Sequence, residues 1–277
     1  EARAGVGQRL MDHPSISVAS YLKPGARKNP YSRRSLHLGM RFSSGVDGAP
    51  QGDMALTVSN KSAWHAIGDR IAVITLWVNK TFSETGQVRL ASADWRAEPE
   101  VDFNLLSDHR DLQRLAKGFR EIAAVHELPP LKAVTSDVFP ASFTDKIRRV
   151  GTYNTKNWIL TGIGARFMDG PAALRTAFIR SFIMESAGLT QALRDDETLE
   201  TYIKRAAVGV WHCSCSCRMG AESDPMAVTD PAGRVYGVHG LRVVDASLFP
   251  VVPCANTNFP TMMVAEKIAD EILGGRG

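Results

Sequence analysis

From Ser107 onward, Leu112, Leu115, Phe119, Ile122 and Ala123 recur at three- and four-residue steps with Arg, Lys and Glu between them. That spacing predicts an amphipathic helix with Ser107 or Asp108 as its N-cap. Shorter helical patterns follow over residues 172–186 and 196–207, the second with an acidic first turn and with Lys204 and Arg205 in its last turn. A last helix is predicted over 260–273, where Met263, Ile268, Ile272 and Leu273 make a face, Pro260 suits the first turn and Gly274-Gly275 ends it. Strand signals come from 15–22, which alternates Ile16, Val18 and then Tyr21, and from the β-rich run 71–78. Residues 88–90 follow a Glu84-Thr85-Gly86 turn and are expected beside 71–78 in one sheet. The pieces 208–219, 235–237 and 241–244 also read as strands, whereas 5–14, opening on a Gly pair and closing at a Pro, reads as an ordered loop.

Composition narrows the class. A chain of 277 residues with 44% hydrophobic and 22% charged positions is an ordinary globular protein of one or two domains, not a disordered, collagen-like or coiled-coil chain. The formal charge is only +4, and its densest basic group, Arg27, Lys28, Arg33 and Arg34, is broken by Pro30 and Tyr31. That is a solvated surface loop and not a nucleic-acid footprint. No apolar run approaches the roughly 18 residues of a membrane span. Four Cys form no disulfide scaffold in a chain this long, so a reducing, cytoplasmic setting is expected. The opening Glu1-Ala2-Arg3, without an initiator Met or leader pattern, reads as an entry into the middle of something.

The densest chemical signal is Trp211-His212-Cys213-Ser214-Cys215-Ser216-Cys217-Arg218-Met219-Gly220. Read as an extended strand, it puts His212, Ser214 and Ser216 on one face and the three Cys on the other. Alternate sulfurs on a flat strand lie about 7 Å apart, too spread for tetrahedral zinc, so the Cys row reads as packing and no metal is assigned. His212 reads either as a partly desolvated acid-base group or as a satisfied core imidazole. The loop pair Asp12-His13 is open in the same way, between a functional role and bonding of its own turn. Farther on, a short strand ends at Asp245, followed by Ala246 and Ser247, where backbone can come close to a ligand. Asn256 and Asn258 stand just ahead of the last helix, an arrangement suited to an anion or dipole but equally to a plain helix entry.

These segments, in this order, resemble the glucose-methanol-choline (GMC) family of flavin oxidoreductases. His212 through Met219-Gly220 is similar to the family's His-x-x-x-x-x-x-Met-Gly signature. Gly240-Leu241-Arg242-Val243-Val244-Asp245-Ala246-Ser247-Leu248-Phe249-Pro250 is similar to its Gly-Leu-Arg-Val-x-Asp-Ala-Ser-x-x-Pro segment. Asn256 occupies the position of the family's second active-site His or Asn, and Asn258-Phe259-Pro260-Thr261 resembles its Asn-Ala-Pro-Thr helix start. Residues 5–14 resemble its Gly-Val-Gly-x-Asn-Leu-x-Asp-His-Pro loop, with Arg9 in place of Asn. The Cys-Arg-Met-Gly spelling and Asn256 are nearer to choline-dehydrogenase-like members than to glucose oxidase-like ones.

The resemblance implies an α/β fold: an α+β substrate domain on a mixed or antiparallel sheet, plus C-terminal segments of a Rossmann-like FAD domain whose N-terminal part is missing. Residues 1–14 would be a loop of the FAD domain, 15–207 the substrate-binding domain, and 208–277 the catalytic segment completing the FAD domain. The implied reaction is FAD-dependent oxidation of a primary alcohol to an aldehyde by hydride transfer to flavin. His212 would be the proton acceptor and Asn256 its hydrogen-bonding partner on the alcohol oxygen. Asp245, Ala246, Asn256, Asn258 and Thr261 would face the cofactor. Implied partners are a small alcohol, an electron acceptor such as O2, a quinone or a dye-like molecule, and a companion chain carrying the dinucleotide glycines.

Those glycines do not read from this sequence. Gly5-Val6-Gly7-Gln8-Arg9-Leu10 and Gly162-Ile163-Gly164-Ala165-Arg166-Phe167 both lack the third Gly of Gly-x-Gly-x-x-Gly, and neither follows a convincing strand. The chain therefore reads as a fragment or split subunit. The alternative is a non-catalytic remnant or partner-binding module that cannot hold FAD alone, with a metal protein using His212, Cys213, Cys215 and Cys217 as a third reading. On the first reading the isolated chain retains little or no FAD after dialysis, checked by its absorbance in the flavin bands; stoichiometric retention contradicts it.

Overall fold

A computed structural model describes every residue except 1–2, 30, 32–33, 63–64, 142–144, 185–187 and 275–277. Pro30 and Arg33 of the basic stretch, Ser186 of the 172–186 helix, Gly275 and the opening Glu1-Ala2 lie outside the described residues. In chain order the strands are β1 (Gln8–Leu10), β2 (Pro14–Leu22), β3 (Leu36–Phe42), β4 (Met54–Ser59), β5 (Ile71–Val78), β6 (Gly86–Arg89), β7 (Glu100–Asp102), β8 (Thr135–Ala141) and β9 (Val208–Gly209). The longer helices are α1 (His109–His126), α2 (Thr155–Met168), α3 (Ala172–Phe178), α4 (Asp196–Ala206) and α5 (Asn258–Gly274). They form a mixed helix and antiparallel-sheet architecture, divided into two compact units. One comprises Glu1–Pro14, Val78–Asp111 and Gly209–Gly277; the other comprises Ser15–Trp77 and Leu112–Val208. Val78–Asp111, which the sequence reading kept within 15–207, groups with the terminal segments.

The second unit is built on a sheet of order β3-β4-β5-β2-β8, with β9 on β2. In β2 and β5, Ile16 stands opposite Leu76 and Val18 opposite Ile74, while Ala19 faces Val73 and Tyr21 faces Ile71. Side chains alternate across a strand, so these are the two faces of one sheet. Helix α1 closes the first face with Leu112, Leu115, Phe119 and Ile122, all buried as their spacing predicts. Gly118 permits the approach, because a Cβ there would stand 2.4 Å from Leu76 Cδ2. The second face is covered by Ala165 and Met168 of α2, together with Phe139, Ile179 and Ile183. Covered on both sides and paired with β5 and β8, β2 is buried along almost its whole length.

The N-cap of α1 is Asp108, whose Oδ1 accepts from Arg110 N at 2.9 Å. Helix α4 is capped by Asp195, which accepts from Thr198 N. Three expectations need correction. The first concerns β6, which pairs with β1 and β7 in a separate three-stranded sheet and not with β5. Between β5 and β6 the chain is tied to the start of α1 instead, the Asp111 carboxylate taking the N–H of Phe82 and Ser83 and the Ser83 hydroxyl. Secondly, residues 235–237 and 241–244 make only isolated bridges within turns. Thirdly, Arg27 is tied down: it bonds the Tyr21 hydroxyl at 2.7 Å and the Asp169 carboxylate, which Arg70 also holds.

Arg114 was one of the polar residues spacing the apolar face of α1, yet it is fully buried with its Nη1 3.3 Å from Asp53 Oδ2. Asp53 is equally buried and accepts from Ser44 N and Ser44 Oγ, both at 2.7 Å. Removing one partner of such a pair strands the other charge away from water. Asp53→Ala should therefore lower unfolding stability by about 3–5 kcal/mol, read from the shift in the urea midpoint.

Candidate active site

The site is assembled around Asp12, in the first unit. Its carboxylate is 2% exposed; Oδ1 accepts from His13 N at 2.6 Å and from His212 N at 3.0 Å, and Cys213 Sγ lies 3.8 Å from Oδ2. Met11 and Ser214 exchange both backbone hydrogen bonds, and Val210 N donates to the His13 carbonyl. The segment 11–13 is thereby laced to 210–214. Gly209 is required for this approach, because a Cβ there would stand 2.2 Å from Asp12 Oδ2.

This lacing overturns the extended reading of 211–220. Trp211 (φ 69°) and Cys215 (φ 75°) adopt the left-handed region that side chains disfavour, and each breaks the two-residue alternation. Cys215 is buried against Met11, Phe249 and Val252, Cys217 is half-buried, and Cys213 is exposed beside the Asp12 carboxylate and is no packing residue. Among the described residues no three His, Cys, Asp or Glu side chains gather as a metal-holding group.

His212 is half-buried, and its Nδ1 lies 3.0 Å from Nδ1 of His13, with the rings edge to face. His13 is wholly buried, and its Nε2 bonds the Pro253 carbonyl at 3.0 Å. Asn79 Nδ2 donates to the next carbonyl, that of Cys254. One imidazole thus joins His212 to the loop that carries Asn256. Burial, aided by the neighbouring His212, pushes the His13 pKa down to about 3, against the pull of the Pro253 carbonyl. Burial lowers that of His212 as well, opposed by the Asp12 charge, and raises that of Asp12, opposed by the N–H groups it accepts.

The other predicted residues lie along the following loops. Asp245 is exposed and caps the short 3-10 turn Ala246–Leu248, accepting from Ser247 N at 2.8 Å. Ala246 is half-buried with its carbonyl taken by Cys215 N. Asn256 is exposed, Asn258 opens α5 and is exposed, and the Thr261 hydroxyl donates to the Thr257 carbonyl at 2.7 Å. Phe259, beside Asn258, is 78% exposed. Arg9 pairs with Glu84. Sequence reasoning did not single out His13 as the partner of His212; its one local signal was an Asp-His pair held extended by the following Pro14.

The profile described as GMC oxidoreductase matches residues 82–265. The chain belongs to the GMC oxidoreductase family. It is 40% identical to 5-(hydroxymethyl)furfural oxidase of Methylovorus sp. (strain MP688) over 274 residues, 98% of this chain and 44% of that protein. It is 33% identical to an oxygen-dependent choline dehydrogenase of Chromohalobacter salexigens over 80% of this chain and 30% of that one. The chain thus spans less than half the length of these curated relatives. Among solved structures, formate oxidase of Aspergillus oryzae RIB40 superposes with a TM-score of 0.72 at 17% identity, covering 99% of this chain and 48% of the other. Pyridoxine 4-oxidase from Mesorbium loti does so at 0.63 and 17%, covering 99% and 45%. The fold is therefore that of the C-terminal part of GMC oxidoreductases.

Two glycine pairs are the candidates for a phosphate-binding turn. Gly5 and Gly7 are consumed by internal packing, since a Cβ at either would stand 2.0 Å from Met226 O or 2.1 Å from Val88 O. Gly162 and Gly164 lie inside α2. Neither pair forms a phosphate-binding turn.

The buried His13 gives stability a pH dependence of definite sign. Its folded pKa is about 3 and its unfolded value 6.5, so the unfolded chain takes up a proton that the folded one refuses. The stabilisation is complete above pH 6.5 and is lost on acidification toward pH 3, by about 1.4 kcal/mol per pH unit. Between pH 6.5 and 5, urea unfolding should show the wild type losing roughly 2 kcal/mol more than His13→Phe.

Proposed function

We propose that this chain carries the proton-accepting half of an FAD-dependent alcohol oxidation, with His212 as the base and Asn256 as hydrogen-bonding partner on the same alcohol oxygen. The observation that carries the reading is His212 itself: a half-buried imidazole whose pKa burial lowers, with its backbone N–H pinned by Asp12 and its Nδ1 by His13. A neutral imidazole can take the hydroxyl proton of a bound alcohol, and removing that proton lets hydride leave the carbon. Asn256 would orient the oxygen, with donor and acceptor each about 3 Å from it. Asp245, the backbone at Ala246, Asn258 and Thr261 would hold the ring side of FAD, which when bound supplies the hydride acceptor. On this reading Ser15–Trp77 with Leu112–Val208 shapes the substrate side, and the remaining segments complete a flavin domain. The phosphate-binding glycines come from outside these 277 residues, in a companion part of the protein.

A primary alcohol is the substrate class this reading favours. Hydroxymethylfurfural and choline represent the two relatives, and the greater identity over nearly the whole chain favours the furanic alcohol. The test is anaerobic mixing, with each alcohol, of the flavin-loaded protein completed by the part that carries the phosphate-binding glycines, followed by flavin bleaching. His212→Ala should slow bleaching by about 10²- to 10⁴-fold with flavin still bound. Full-rate bleaching in that variant removes His212 from the chemistry, and no bleaching of the wild type by any primary alcohol removes the reading itself.

A further inference from the structure

We propose that His13 is a positioning residue that fixes His212 as its Nδ1–H tautomer, leaving Nε2 as the one proton-accepting nitrogen of that ring. The inference deepens the proposed function and rests on it for its catalytic meaning, but its structural content stands on hydrogen-bond logic alone.

The argument begins at Pro253. A peptide carbonyl only accepts, so the 3.0 Å contact from His13 Nε2 requires that nitrogen to carry a proton. His13 is wholly buried and its ring touches no carboxylate; the adjacent Asp12 bonds the His13 backbone N–H instead. A second proton on that ring would make an unpaired buried cation, which is costly, so His13 is neutral and its Nδ1 is a bare acceptor. Among the described residues the ring nitrogen facing it is His212 Nδ1, 3.0 Å away, and two bare nitrogens at that distance would repel. His212 therefore donates from Nδ1. Its Nε2, which bonds nothing among the described residues, keeps the lone pair.

Free histidine prefers the opposite tautomer, with the proton on Nε2. Without His13, the His212 ring would present a donor where the alcohol needs an acceptor. This differs from simple packing, since a phenyl ring at position 13 fills the space but offers no lone pair. Asn at 13 places its carbonyl oxygen near the Nδ1 position and restores the acceptor.

The test is two-bond ¹H–¹⁵N correlation on the native protein with ¹⁵N-labelled histidine, His212 being assigned by its loss in His212→Ala. The wild type should show a protonated Nδ1 and a bare Nε2 for His212. His13→Phe should shift the pattern to Nε2–H and lower kcat for alcohol by at least about 10-fold, with KM changed less than about threefold. His13→Asn should return the Nδ1–H pattern and recover turnover relative to His13→Phe. An Nε2–H signal in the wild type overturns the proposal even if no variant folds, as does an unchanged Nδ1–H signal in folded His13→Phe. These readings are independent of whether the protein oxidises alcohols: a protein inert toward every alcohol but showing the expected tautomers fails the functional reading alone.

Discussion

A carboxylate with almost no access to water persists only where donors converge on it, and Asp12 sets that demand for the first unit. Its needs are met by the backbone of His13 and His212, and meeting them dictates local shape. Trp211 must turn through a left-handed conformation, Gly209 must have no side chain, and Met11 must zip against Ser214. The cost of two left-handed side-chain residues, of the order of 1–3 kcal/mol each, is offset by the hydrogen bonds that hold them. Local propensity alone would have made 211–220 a strand; a remote charge made it a cradle for an imidazole.

Legibility in the sequence followed the range of the forces involved. Helix α1 and strands β2 and β5 were readable because burial on a regular element leaves a period, and Leu112, Leu115 and Phe119 print it directly. Strands β3 and β4 and helix α2 gave no such signal; α2 is mostly apolar, with Trp158, Ile159, Leu160 and Ile163 all 49–61% exposed. Arg114 was hidden because its partner Asp53 lies 61 positions away. For the candidate site, motif resemblance supplied names but no arrangement. His212, Asp245 and Asn256 could be named from motif resemblance, yet the contact between His13 and His212 spans 199 positions and follows from no local pattern.

Family membership and the glycine geometry limit each other usefully. The chain has the fold of the C-terminal part of GMC oxidoreductases, and its two glycine pairs are committed to backbone packing or to a helix interior. On the proposed reading, what it would offer a cofactor lies at the exposed loop ends around Asp245 and the start of α5. Gly5, Gly7 and Gly164 are closely packed, and Gly209 is reserved for the Asp12 carboxylate.

The first unit is threaded from three stretches of chain, and its lacing joins Met11 to Ser214. During synthesis from the N-terminus, His13 follows Asp12 at once, whereas the other backbone donor, His212, emerges 200 positions after it. At about 5–20 residues per second the carboxylate waits ten seconds or more for that second partner. Residues 15–77 and 112–208, which make up the second unit, have by then been synthesised. The contact between His13 and His212 therefore cannot form until the whole of the second unit's sequence has been made.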